Sequence, residues 1–146
     1  MLVSTKGRYA LRIFMELASR PQGAYVSLDD IAEAQNVSEK YLESIVRGLV
    51  KSKMLEGQRG RGGGYRLTRV PEAYSVGEIL EHTEGSLAPV SCLDCSPNPC
   101  ERAADCRTLP MWKRLDSIIY DYLNSVTLAD LMVGSDGVTR PECCGK

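Results

Sequence analysis

The chain is short of histidine and of long apolar runs, and each shortage excludes a class of function. His82 is its only histidine and fits the solvated end of a helix, so no Ser/His/Asp or Cys/His arrangement for hydrolysis is available. We therefore expect that the chain is not an enzyme. No stretch approaches the roughly 18 apolar residues of a membrane-spanning helix, and residues 1–6 lack the apolar core of a signal peptide. The expectation is a cytoplasmic protein that does not bind membranes.

A net charge of −1 conceals two halves of opposite sign. Residues 1–70 hold 12 Lys and Arg against 7 Asp and Glu, a balance of +5, whereas residues 71–146 hold 6 against 12, a balance of −6. A basic half inside a chain that is acidic overall is the electrostatic footprint of a part that meets phosphates. The N-terminal half is therefore where we expect nucleic acid to bind.

The basic half has the periodicity of a winged helix-turn-helix. Apolar residues at i, i+3, i+4 and i+7 from Ala10 predict a first helix, which Pro21 ends. Ser27 and Ser38 are N-cap residues for a second and a third helix, and the short turn between these two helices predicts a helix-turn-helix. The glycine-rich run from Met54 to Leu67 then predicts a β-hairpin, the wing, with arginines projecting from its tip.

The acidic half combines a proline-interrupted loop with further helices. A capping pattern at Ser75 begins a short helix, and Pro89, Pro97 and Pro99 argue against regular structure in the segment that follows. Beyond that segment, apolar residues repeat with spacing 3, 4, 3, 4, which is a heptad seam that needs a partner helix. We expect a homodimer. The seam consists of Trp112, Leu115, Ile119, Tyr122 and Val126.

Together these patterns predict a mainly α-helical fold with a small β-hairpin wing, extended by a long C-terminal dimerisation helix. The predicted regions are a winged helix-turn-helix at 1–70, a connecting helix at 71–86, a cysteine-rich loop at 87–109, the dimerisation helix with a short following helix at 110–132, and a flexible tail at 133–146. The tail carries the adjacent Cys143 and Cys144, for which an incidental exposed pair is the simplest interpretation.

Four cysteines, Cys92, Cys95, Cys100 and Cys106, fall within fifteen residues. In a reducing compartment such a group more often binds metal or does redox work than cross-links a fold. Zinc suits four thiolates, but zinc ribbons join two close pairs across a longer gap, and here only Cys92 and Cys95 are close. A structural zinc site, thiol oxidation and control by a protein partner all remain open.

Five stretches of the sequence carry a family resemblance: Ser4–Ala10, Val37–Glu43, Arg59–Gly60 with Gly62–Tyr65, Ser75–Ile79 and Thr127–Leu131. In these stretches the chain resembles, over residues 1–132, the winged-helix regulators of the IscR, NsrR and CymR type. The resemblance implies a dimeric DNA-binding regulator of transcription, here expected to be a repressor. Many members hold an iron–sulfur cluster on three cysteines in the loop before the dimerisation helix.

By resemblance the cluster ligands are the first, third and fourth cysteines of the loop, Cys92, Cys100 and Cys106, with 2Fe-2S favoured over 4Fe-4S. The fourth ligand departs from the family patterns. Leu109 stands where IscR-type members have histidine, and Arg8 stands where nitric-oxide-sensing members can have an acidic residue. The remaining thiol, Cys95, suits iron and is spaced so that its sulfur and that of Cys92 can reach one site. A carboxylate, an exchangeable ligand and the partner subunit are the alternatives.

The resemblance also implies how double-stranded DNA is bound. Two recognition helices of a homodimer enter successive major grooves of a roughly palindromic site. Glu43 reads bases there, since a carboxylate accepts a hydrogen bond from cytosine N4, and Arg59 enters a minor groove. Contacts to phosphates fix register without carrying sequence information, and they are expected from Arg61, Arg66, Lys51 and Lys53. The expected DNA contacts are Ser38, Lys40, Tyr41, Glu43, Arg47, Arg59 and Arg61.

Two other functions fit part of the sequence. A winged-helix regulator without a cluster, controlled by thiol oxidation, zinc or a protein partner, uses the same basic half and the same cysteines. An iron–sulfur electron-transfer or cluster-carrier protein would use the cysteines but would leave the helix-turn-helix without a purpose. The regulator without a cluster is therefore the main alternative.

Overall fold

The computed structural model describes residues 3–133, which form six α-helices and one two-stranded antiparallel hairpin. Residues 134–146, which include Cys143, Cys144 and nearly all of the predicted tail, lie outside the described residues. None of the described helices is both long enough and apolar enough to span a membrane. The helices are α1 Thr5–Ala18, α2 Leu28–Gln35, α3 Glu39–Lys51, α4 Val76–Glu84, α5 Leu109–Ser125 and α6 Leu128–Val133, and the strands are β1 Leu55–Gln58 and β2 Gly64–Leu67.

The helix-turn-helix forms where the sequence supplies caps. The Ser27 hydroxyl accepts the Asp30 N–H at 3.1 Å, and the Ser38 hydroxyl accepts the Tyr41 N–H at 3.4 Å. Each bond satisfies one of the free donors at a helix start. Asn36 ends α2 in the left-handed conformation, with φ 51°, which asparagine tolerates better than most residues. The chain can therefore turn sharply from α2 into α3.

The main apolar core is shared by both halves of the sequence. Ile13 and Phe14 of α1 are fully buried among side chains from α2, α3 and the wing, together with Ile79 of α4 and Leu128 of α6. A second, smaller apolar cluster forms around Val76, Leu80 and Leu87, with Leu123 of α5 packed against it. The core of the winged helix thus includes a residue from beyond the cysteine loop, Leu128.

The segment between α4 and α5 is less irregular than its prolines predict. Two 3-10 turns form in it, at Ser91–Leu93 and Ala103–Asp105. The prolines lie outside both turns, so they interrupt the segment without preventing short turns inside it. α5 begins at Leu109, inside the predicted loop region, because Pro110 is tolerated in the first turn of a helix.

Tyr74 joins the wing to the core through its hydroxyl group. The hydroxyl donates to the Met54 carbonyl at 2.8 Å and accepts the N–H groups of Thr68 and Arg69, both at 3.0 Å. Met54 precedes β1 and Thr68 follows β2, so one buried side chain holds both ends of the hairpin. The ring packs edge-on against Phe14, with ring centroids 5.2 Å apart.

Tyr74→Phe should lower the free energy of unfolding by about 1–3 kcal/mol, because the two N–H groups lose a buried acceptor. Urea unfolding measures the change. Tyr120→Phe is the matched control, since Tyr120 is 54% exposed and lies outside the predicted seam, and its unfolding midpoint should equal that of the unmodified protein. If Tyr74→Phe also left the midpoint unchanged, the hydroxyl would not hold the wing.

Candidate nucleic-acid interface and cysteine loop

A groove between α3 and the wing brings together three residues predicted to contact DNA. Glu43 and Arg47 line it from α3, and Arg59 lines it from the wing. The groove has a volume of about 540 Å³ and is open to solvent. A recognition helix beside a projecting hairpin is the arrangement with which winged helices meet adjacent grooves of a duplex.

Glu43 and Arg47 are partners in the absence of DNA. Arg47 donates a hydrogen bond to the Glu43 carboxylate at 2.8 Å, and both side chains are exposed. An exposed pair one helical turn apart stabilises a helix by only about 0.3–0.5 kcal/mol. Breaking this ion pair therefore costs little free energy, so both side chains could turn to DNA, Glu43 to a base and Arg47 to a phosphate.

The other predicted DNA contacts differ in how free they are. The Ser38 hydroxyl already caps α3. The Tyr41 ring packs edge-on against Tyr9, with centroids 5.8 Å apart, and also contacts the main core. Lys40 and Arg61 are exposed, and within residues 3–133 their side chains have no hydrogen bond or ion pair with the protein. These two cations are available for phosphates.

Arg66, which is expected on a phosphate, is paired with a residue of the wing itself in the absence of DNA. Glu56 faces it across the hairpin, and Arg66 donates to the Glu56 carboxylate at 2.8 and 2.9 Å. Its guanidinium also lies 4.7 Å from the centre of the Tyr25 ring. The hydrogen bond from Arg66 holds the pKa of Glu56 below its ordinary value, so the pair stays charged. Arg66 therefore stabilises the hairpin.

The start of the recognition helix is acidic. The pKa of Glu39 is raised first by a hydrogen bond with Asp29 and then by the charges of Asp29 and Glu43. Asp29 and Glu39 lie in the first turns of α2 and α3, where a helix N-terminus would otherwise attract phosphate. Lys40 is the one cation in the first turn of α3, and the other cations of α3, Arg47 and Lys51, lie further along the helix.

Gly64 allows the wing to lie against the segment before α2. Its φ of +141° is disfavoured for other residues, and a Cβ at this position would overlap the Val26 carbonyl. Tyr65 and Val26 exchange backbone hydrogen bonds there at 2.8 and 2.9 Å. The tip end of β2 is thereby fixed to the segment that leads into the helix-turn-helix.

The cysteine loop contains four free thiols and no assembled site. Cys92 and Cys106 are half-buried, while Cys95 and Cys100 are exposed. Within the described part of the chain, no three or more Cys, His, Asp or Glu side chains are arranged so as to hold a metal ion. The loop thus supplies suitable ligand atoms without presenting them as a closed set.

Two interactions shape the chemistry of the loop. A hydrogen bond from the Thr108 hydroxyl, followed by one from the Thr108 N–H, lowers the pKa of the Cys106 thiol. The thiolate so favoured is the form that binds metals and reacts with oxidants. Asn98 accepts the Cys100 N–H at 2.9 Å, but its own Nδ2 is buried without an acceptor among residues 3–133. Such orphaned donors are rare in folded proteins and call for an explanation.

α5 presents an apolar stripe to solvent. Its 17 residues include none that is buried, although a helix of that length, about 25 Å, usually packs one face on a core. Of the predicted seam, Leu115 and Tyr122 lie on this exposed stripe. Val126 instead packs against the chain's own apolar cluster around Val76, Leu80 and Leu87. Trp112 and Ile119 are half-buried. The exposed stripe consists of Met111, Leu115, Ile118 and Tyr122.

Comparison with known protein sequences identifies a family. The family model described as Rrf2, iron-dependent transcriptional regulator, matches residues 3–134. The HTH-type transcriptional regulator CymR of Bacillus subtilis is 37% identical over 137 residues, which cover 94% of each chain. The HTH-type transcriptional regulator IscR of Vibrio cholerae is 35% identical over 136 residues, covering 93% of this chain and 78% of that protein.

Solved structures agree with this assignment. The structure of CymR, the global cysteine regulator of B. subtilis, has a TM-score of 0.75 at 35% identity and covers 93% of this chain and 99% of that one. The structure of IscR from T. potens has a TM-score of 0.73 at 32% identity and covers 97% and 93%. These neighbours confirm the predicted winged-helix fold. Because the named relatives are transcription regulators, the expectation that the chain is not an enzyme is also confirmed.

Arg61→Ala should flatten the salt dependence of DNA binding by about one unit of slope, because a free cation releases one counterion for each phosphate that it meets. Arg66→Ala is the matched comparison on the same wing and should leave the slope nearly unchanged, since Glu56 already neutralises Arg66. The measurement is binding to a mixed-sequence duplex over a range of salt concentrations. Equal effects of the two substitutions would contradict this distinction.

Proposed function

The chain belongs to the Rrf2 family of transcription regulators, and from that premise we propose that it is a homodimeric repressor that senses iron–sulfur status or redox signals through a cluster in its cysteine loop. The observation that carries the proposal is the position of four free thiols between α4 and α5. α4 packs on α1 of the winged helix, and α5 carries the apolar stripe. The loop thus connects the helix that packs on the DNA-binding part to the helix that carries the proposed dimer surface, so a change in the loop can affect both.

The exposed stripe supports the homodimer. Met111, Leu115, Ile118 and Tyr122 are between 38 and 58% exposed and lie along one side of α5 at spacings of three and four. A continuous apolar helix face is typical of a protein–protein interface, and two copies of the same stripe would bury each other around a twofold axis. The two recognition helices would then approach successive major grooves of a roughly palindromic DNA site.

Two features of the loop fit an iron–sulfur cluster. The donor set consists of thiols, which are the ligands that such clusters use, and the orphaned Nδ2 of Asn98 is a hydrogen-bond donor suited to sulfur. Cys92, Cys100 and Cys106 would hold the cluster, with Cys95 as the internal candidate for the fourth position. When bound, a cluster supplies a redox-active centre that links the sulfurs. The iron dependence in the family description supports the same assignment.

A second function is favoured by the dispersed thiols. Because no three ligand side chains in residues 3–133 are arranged around a metal position, a regulator controlled by thiol oxidation or a protein partner uses the loop as it stands. Control by zinc would require the thiols to converge, as a cluster would. The lowered pKa of Cys106 favours a reactive thiolate for such control. The CymR relatives, one of which is described as a global cysteine regulator, support this alternative.

Protein purified without oxygen should contain stoichiometric iron and acid-labile sulfide and should show the visible absorption bands of a cluster.

Cys92→Ala, Cys100→Ala and Cys106→Ala should each lose iron, because each removes a ligand. Each should also change DNA affinity by about 5- to 150-fold, the usual range of coupling between sites. Cys95→Ala tests the fourth position separately. Absence of iron and sulfide even after anaerobic reconstitution would exclude the cluster and favour thiol, zinc or partner control.

Glu43→Ala should relax DNA sequence discrimination by about 5- to 150-fold, the equivalent of the 1–3 kcal/mol for one good base contact. Binding sites would first be selected from a random library with the unmodified protein, and the variant would then be measured on a selected and a scrambled duplex. Lys51→Ala is the control, since loss of a phosphate contact should weaken both duplexes equally. Full discrimination by Glu43→Ala would remove Glu43 from base reading.

A further inference from the structure

We propose that Glu84 is a positioning residue that transmits the state of the cysteine loop to the DNA-binding helices through the start of α1. The inference rests on the proposed function, because it assumes that the loop changes state. It assigns to one residue, 80 positions away from its partner in sequence, the role of connecting the loop to the winged helix.

The Glu84 carboxylate holds the N-terminus of α1. Its Oε1 accepts the Ser4 N–H at 3.0 Å and the Ser4 hydroxyl at 2.7 Å. Ser4 is the N-cap of α1, and its hydroxyl oxygen accepts the Gly7 N–H at 3.3 Å. The negative charge of Glu84 also faces the positive end of the α1 dipole. One carboxylate oxygen therefore fixes where the first turn of α1 lies relative to the end of α4.

Gly7 provides the space for this contact. It is buried in the first turns of α1, and a Cβ at this position would overlap the Glu84 carboxylate. Glycine is a poor helix former, and its φ here is not one that requires glycine. The close approach of Glu84 is thus the physical reason for a glycine inside α1.

On its other side, Glu84 borders the cysteine loop. It is the last residue of α4, and Gly85 ends the helix with φ 85°. Ser86 then donates a hydrogen bond to Asp94 at 2.6 Å, and Asp94 lies between Cys92 and Cys95 in sequence. A displacement of the first two cysteines would therefore pull on a segment that begins one residue after Glu84.

α1 leads from this contact to the recognition helix. Tyr9, four residues after Thr5 at the start of α1, packs edge-on against Tyr41 of α3. Tyr41 stands two positions before Glu43 on the same helix. A shift in the first turn of α1 would move the surface on which Tyr41 rests. Because contacts are not themselves a coupling free energy, the test has to compare two states of the loop.

The first measurement is the ratio of DNA affinities between cluster-loaded and cluster-free protein, on one duplex selected with the unmodified protein. We expect a ratio of about 5- to 150-fold for the unmodified protein and about one for Glu84→Ala. Glu81→Ala is the matched control, one turn earlier on α4. The Glu81 side chain is exposed and, within residues 3–133, has no hydrogen bond or ion pair, so this variant should keep the full ratio.

Gly7→Ala breaks the same contact from the other side. Its added methyl group should displace the Glu84 carboxylate and also reduce the ratio to about one, whereas adding it to Glu84→Ala should have no further effect on the ratio. Amide hydrogen exchange over residues 3–10 gives a readout independent of DNA. Cluster loading should change this exchange in the unmodified protein and in Glu81→Ala, but not in Glu84→Ala.

The outcomes separate this inference from the proposed function. If the unmodified protein holds no cluster, or has equal DNA affinity with and without it, the proposed function is overturned and the role of Glu84 with it. If the unmodified protein responds and Glu84→Ala responds equally, only the role of Glu84 is overturned. A merely structural role would weaken both states alike and leave the ratio intact. Loss of iron from Glu84→Ala would place Glu84 at the cluster and also overturn the positioning role.

Discussion

The hydroxyl of Tyr74 is the interaction on which the geometry of the DNA-binding surface depends. It joins Met54, before β1, to Thr68 and Arg69, after β2, and the Met54 N–H in turn bonds to the Leu49 carbonyl near the end of α3 at 3.0 Å. The wing is thus held to α3 at its base, while its glycine-rich tip is exposed. The groove that contains Glu43, Arg47 and Arg59 owes its shape to this connection.

The same residue ties the acidic half of the sequence to the basic half. The Tyr74 carbonyl accepts the Leu128 N–H at 2.9 Å, and the Leu128 side chain is fully buried in the core that α1 and α3 share. The opposite charges of the two halves therefore do not mark two domains. Because the core is common, a displacement beside the cysteine loop can reach the winged helix without crossing a linker.

Local structure could be predicted from the sequence, whereas long-range side-chain partners could not. The caps at Ser27 and Ser38 and the apolar repeat from Ala10 act within a few residues, so helices α1 to α3 and the wing were expected. The partners of Arg66 and Glu84 are set by the path of the whole chain. The heptad pattern also includes Val126 in the predicted seam. In the structure Val126 packs inside the chain, on the apolar cluster around Val76, Leu80 and Leu87, and the pattern alone does not show which side of α5 that cluster covers.

The cysteine loop shows why ligand chemistry is easier to predict from a sequence than ligand geometry. Four thiols within fifteen residues restrict the chemistry of the loop to soft metals, clusters and oxidation. The distances between the sulfurs cannot be predicted from the sequence, because they depend on how the prolines and short turns direct the backbone. Cys92 follows α4 closely and Cys106 precedes α5 by only a few residues. Any metal site or covalent bond that joins the sulfurs of Cys92 and Cys106 therefore restricts how α4 and α5 can move relative to each other. A cluster, a zinc ion and a disulfide would share this mechanical effect, and they would differ in the signal that makes or breaks it.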